Sequence, residues 1–162
     1  LANFADLHLI GTPLIFSNLD QLAAYLESIA NRVPAAMGAA LAEVGQQVAD
    51  AARDKIGHYQ GEHGPFAAWH ELADSTKQDR VRKGYAENEP LLRDGTLRAS
   101  IAHTVGEGVV SVGSPLEIAK YQEIGTDHIP PRSFLGGALV EHEQDSVERV
   151  TNAVTSLFEE TP

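Results

Sequence analysis

His58, Glu62, His63 and His70 fall within one short stretch of the chain. Imidazole nitrogens and a carboxylate are a donor set for zinc or manganese, and a glutamate beside metal-held water can act as a general base. The spacing fits such a site poorly. Two ligands on one helix face stand three or four residues apart. His58 and His63 are five apart, and Gly57, Gly61, Gly64 and Pro65 punctuate the stretch as a loop over 57–70. A small metal-dependent hydrolase using His58, Glu62 and His63 is the alternative reading; the residue pattern implies no metal and no cofactor. Ser100 and His103 stand three apart with no acid partner to complete a triad. Gly106-x-Gly108 is too short for a phosphate loop, no Gly-x-Ser-x-Gly elbow occurs, and the carboxylates form no paired pattern. His103 reads as a packed or surface strand residue, and His128 and His142 as solvated. Cysteine is absent, which excludes thiolate chemistry and disulfides. The catalytic inventory is empty, and the chain reads as a protein that is not an enzyme.

Charge narrows the class further. The 162 residues carry 23 acidic against 12 basic side chains, a formal net charge of −11. Gripping nucleic acid requires clustered Lys and Arg, so DNA wrapping is disfavoured and a solvated acidic surface is expected. The apolar fraction of 43% supports a real core. No apolar run is long enough for a membrane span. Leu1 to Ile10 holds Asp6 and His8 and no basic leader, so it does not read as a signal peptide, and assembly in the cytoplasm is the simplest expectation.

The positioning elements follow from periodicity. Ala5 to Phe16 reads as a strand or extended arm within residues 1–17, broken at Gly11-Thr-Pro13. Asn18 or Asp20 can cap a helix carrying Leu19, Leu22, Leu26, Ile29 and Val33. Pro34 suits the first turn of a second helix, with Met37, Leu41, Val44, Val48, Ala52 and Ile56 on one face and Gly57 as its stop. Ser75 or Asp74 can cap a short polar helix to about Lys83, ended by Gly84. Thr96 can cap another, with Leu97 and Ile101 on one face. Ile101–Val105 and Val109–Val112 around Gly106-Glu-Gly108 predict a hairpin. A short helix follows Ser114-Pro115, then a rigid loop through Pro130-Pro131, then one long helix from Ser133 to about Glu159. The order predicts an α+β domain over 1–162, with a small antiparallel sheet packed on long helices.

Three segments together carry a resemblance: Leu91-Leu-Arg-Asp-Gly-Thr-Leu-Arg-Ala-Ser-Ile101; Val112-Gly-Ser followed by Ile118-Ala-Lys-Tyr-Gln-Glu-Ile-Gly-Thr126; and Ile129-Pro-Pro-Arg-Ser-Phe-Leu-Gly-Gly-Ala-Leu139. The series resembles the neck and tail-completion proteins of tailed phages, including the Mu-type virion morphogenesis group, over roughly residues 18–158. Trp69-His-Glu-Leu-Ala-Asp-Ser-Thr76 is similar to a stretch of the Mu-type group. Two positions depart from the family pattern: Gly95-Thr96 inverts its threonine-glycine, and Ser133 replaces its proline.

The resemblance implies a structural virion protein at the head–tail joint, part of a phage or gene-transfer particle assembled in the host cytoplasm. It implies a homo-oligomeric ring, hexameric by preference and dodecameric as the alternative. Head-closure or adaptor proteins and the tail terminator or tube would be its neighbours, and DNA would pass through without specific binding. Within it, Arg132 offers a planar fork of donors, Phe134 and Leu135 offer apolar anchors, and Glu123 can receive Arg98 or Arg132 as a register device between subunits. Against this stands packing of Phe134 and Leu135 into the subunit's own core. The 57–70 loop would project towards a neighbouring ring or the channel, and an acidic lumen would repel phosphate.

Overall fold

The computed structural model describes residues 15–159, so the arm expected over 5–16 lies, but for its last two residues, outside the described residues. The first helix, α1, runs Leu19–Lys55. Asn18 is its N-cap in extended conformation, and its side chain accepts from the Gln21 amide at 2.9 Å. The helix stops at Ile56, and Gly57 turns away at φ 103 while its amide bonds the Pro90 carbonyl at 2.8 Å.

The two helices expected on either side of Pro34 are one helix of 37 residues with Pro34 inside it. Proline removes one amide from the ladder, a cost that side-chain packing on both sides must offset. Before Pro34, Tyr25 and Ile29 pack with Leu157, and the Tyr25 hydroxyl donates to the Phe158 carbonyl at 3.0 Å. After it, Val44, Val48, Ala49, Ala52 and Ile56 form the main core with Trp69, Leu97, Ile101, Ala119, Phe134 and Ala138. Each half is held by its own partners, and the helix runs straight through in sequence.

Helix α2 is Asp74–Arg82. Its N-cap is Ala73 with no side-chain bond, not Ser75 or Asp74, so the cap expected there is replaced by plain backbone entry. Helix α3 is Thr96–Ser100, entered from Gly95 at φ 83. Thr96 is therefore the first helical residue and not the cap; its amide is taken by the Asp94 carboxylate at 2.9 Å.

Strands β1 (Ala102–Gly106) and β2 (Val109–Gly113) pair antiparallel with His103 opposite Val112 and Val105 opposite Val110. The hairpin lies on α1 at Gly45, where a Cβ would stand 2.6 Å from Val110 Cγ2 and 2.7 Å from the His103 ring. Glycine is what lets the sheet approach the helix this closely.

Helix α4 is Glu117–Ile124. The long helix expected from Ser133 is two: α5 (Leu135–Glu141) and α6 (Glu143–Glu159), broken at His142. His142 is held sideways onto α1, its Nδ1 3.0 Å from Gln47 Nε2, while its carbonyl accepts from Ser146 as α6 begins. The fold is α+β: a two-stranded antiparallel sheet and, among the described residues, six helices, with the sheet, α5 and α6 packed on α1.

Candidate interaction site at the α4–α5 corner

The corner begins at Ser114, whose hydroxyl meets that of Ser100 at 2.7 Å and accepts from the Leu116 amide at 3.1 Å. That pins α4 beside α3. After α4 the chain reverses at Gly125 (φ 76), where a Cβ would sit 2.9 Å from both the Ile129 carbonyl and the Pro131 nitrogen. Thr126 closes the turn: its amide donates to Ile129 at 2.8 Å, and its hydroxyl accepts from His128 and Ile129. The Arg132 amide then donates to the Gln122 carbonyl at 2.6 Å, fastening the loop back to α4.

Glu123 is the hub. Its carboxylate accepts from the amides of Phe134 and Leu135, both at 2.9 Å, and of Gly136 at 2.8 Å, and also from the Ser133 hydroxyl. The first amides of a helix have no partner within it, and a carboxylate there also complements the helix dipole. Glu123 therefore caps α5 from another helix. Within the chain it receives neither Arg98 nor Arg132. Arg98 is exposed and lies 3.7 Å from Asp54.

Arg132 is 4% exposed, and its Nη2 donates to the His70 carbonyl at 2.9 Å. Burial pulls its guanidinium below the ordinary arginine value. Phe134 is 0% exposed in the core, and Leu135 is half-buried against it. The corner thus brings Glu123, Arg132, Phe134 and Leu135 together and leaves Arg98 apart. Arg132 and Phe134 are both buried within the single chain.

Arg80 escaped the sequence reading. It is 6% exposed; its Nε donates to the Ala86 carbonyl at 2.6 Å and its Nη2 to the Leu92 carbonyl. Nothing local marks an arginine on a polar helix as buried. The segment it grips holds Leu91 at φ 64, a conformation that leucine adopts only at a cost. Arg80, Leu91, Leu97, Ile118, Gln122 and Arg132 line one groove of about 800 Å³.

The histidine loop does not assemble a metal centre: no group of three or more His, Asp or Glu able to hold an ion occurs among the described residues. The loop is exposed over 61–65, and Trp69 anchors it in the core, its amide bonded to the Gln60 carbonyl at 2.9 Å. No described helix is long and apolar enough to cross a membrane.

The site is a braced corner beside a broad groove. A family model of phage virion morphogenesis proteins matches residues 17–155, and the chain belongs to that family. That membership makes it a virion-associated protein with a structural or assembly role. No curated protein and no solved structure matches the chain.

Proposed function

We propose that this protein is a structural subunit of the head–tail joint, acting in tail completion or in the neck. Its subunits form a ring, hexameric by preference, around the DNA channel. Head-closure or adaptor proteins lie on one side of the ring and the tail terminator or tube on the other. The observation that carries the proposal is a convergence. The segments 91–101, 118–126 and 129–139, which together resemble the neck and tail-completion proteins, meet at one corner and line one groove. Residues far apart in sequence gather there around packing and capping, an arrangement that suits an interface.

Exposed apolar side chains support subunit contact. Ile118, Ile124, Leu139 and Val147 are uncovered in the single chain. The charge of −11 supports passage of DNA past the ring without capture. Electron microscopy of particles made without this protein tests the reading. Full heads beside separate tails are the expected picture; normally joined particles overturn it.

A further inference from the structure

The groove beside the corner has an unusual floor. Two arginines there, Arg80 and Arg132, are each more than nine-tenths buried, and both spend their described hydrogen bonds on backbone carbonyls. Among the described residues neither lies within ion-pair distance of a carboxylate. Arg132 Nε is buried with no hydrogen-bond partner, as is Oε1 of Gln122 beside it. Arginine stays charged in proteins, and a buried charge without a counter-charge is costly. Glu123, the carboxylate expected from the sequence to receive Arg132, is bound instead to the α5 amides. So in a chain of net charge −11 the groove is lined by three arginines, Arg80, Arg93 and Arg132, against two carboxylates, Glu71 and Asp94, and Ile118, 43% exposed, lines it as well.

The complementary surface is at the opposite end of the molecule. In α1, Leu19 and Leu26 are 65% and 48% exposed. Seven residues apart, they lie on one helix face, and Asp20 and Glu27 follow them on the adjoining stripe, also exposed. A helix of 37 residues spans about 55 Å. The groove sits by the far end of α1, where Gly57 bonds Pro90 next to Leu91, so a chain cannot fill its own groove with the start of its own α1.

We propose that a second copy of this chain fills it. The first turns of α1 of one subunit dock in the groove of the next, with Leu19 and Leu26 on the apolar wall and Asp20 and Glu27 over the Arg80–Arg132 floor. The contact is head-to-tail, the type that closes into rings. The inference rests on the ring reading above and specifies its interface.

The chain has no cysteine, so introduced thiols report only themselves. Copies carrying Leu26→Cys are mixed with copies carrying Ile118→Cys and treated with a short thiol-specific cross-linker, both as purified chain and in assembled particles. Dimers linked 26 to 118 are expected, and a chain carrying both cysteines should give a ladder beyond dimer. Glu27→Lys should cut the yield about tenfold with the melting temperature unchanged, because Glu27 is exposed and lies beyond the first turn of α1. No 26–118 link in either preparation, or 26–26 and 118–118 links in equal amount, overturns the docking. Joined particles that lack the 26–118 link sink this contact and leave the head–tail reading standing. The 26–118 link in particles that contain the protein, together with normal joining of particles made without it, keeps this contact and sinks the head–tail reading.

Discussion

Glu123 and Phe134 are joined by a 2.9 Å hydrogen bond from the Phe134 amide to the Glu123 carboxylate, and the next two amides converge on the same group. One side chain on α4 thereby fixes both the start of α5 and the depth of Phe134 in the core. Glu123→Ala leaves those amides without their acceptor and should cost about 2 kcal/mol. For a chain of this size that is a fall in melting temperature of about 6 °C. Glu123→Gln keeps one oxygen without the charge and should lose less. Thermal unfolding of the two variants decides it: an unchanged transition in Glu123→Ala would mean that α5 holds its place without the cap.

Two glycines of α1 should respond in opposite directions to the same substitution. At Gly45 a Cβ would meet Val110 and His103 well inside contact distance, whereas at Gly38 it would meet nothing within 4 Å. Gly45→Ala pushes the hairpin off α1 and should destabilise by about 1–3 kcal/mol. Gly38→Ala only improves helix propensity and should stabilise by roughly 0.5–1 kcal/mol. Urea unfolding of the pair separates the effects, and equal shifts would mean that the sheet does not bear on Gly45.

Pro34 marks where the sequence speaks ambiguously. Proline fits the first turn of a helix and is tolerated in an interior when packing outweighs the lost bond. One signal favours continuity: Arg32 and Val33 precede Pro34, and neither is a capping residue. Pro34→Ala restores an amide that can donate to the Ala30 carbonyl and should raise stability by about 1–3 kcal/mol. A loss of stability on this change would show that the proline geometry is itself required for the α1–α6 packing.

Legibility divides along the same line. The hairpin, the Asn18 cap and the apolar face from Val44 to Ile56 were readable because period, turn residues and caps are local; of the face expected before Pro34, Ile29 is buried, whereas Leu19 and Leu26 are exposed and Tyr25 takes their place in the core. The break at His142 was not, because Glu141-His142-Glu143 holds no glycine or proline, and the break is tied to Gln47 on another helix. The roles of Glu123, Arg80 and Arg132 were hidden for the same reason: each is decided by carbonyls or amides distant in sequence. Arg132, Phe134 and Leu135 stand out from their loop alone; core packing is already the alternative for Phe134 and Leu135, and nothing in the loop shows how deep Arg132 lies.

Acid should loosen the joint between α1 and α5. Lys55 donates to Glu141 at 2.5 Å and holds that carboxyl below its ordinary value, with Lys55, His142 and His63 as further positive influences. An unfolded glutamate titrates at roughly pH 4. Above that value the carboxyl is ionised in both states, and the contribution of the pair to stability is fully present. As pH falls through the lower folded value, Glu141 protonates and the contribution is lost. Asp50, Asp79 and Asp94 are lowered too, so their stabilisation fades over the same acid range. Chain stability should therefore decline below about pH 4. Glu141→Gln should be less stable than the native chain at pH 7 and should show a shallower acid decline. Denaturant midpoints measured from pH 7 down to pH 3 test this, and an acid limb of unchanged slope in Glu141→Gln would assign the loss to the other carboxylates.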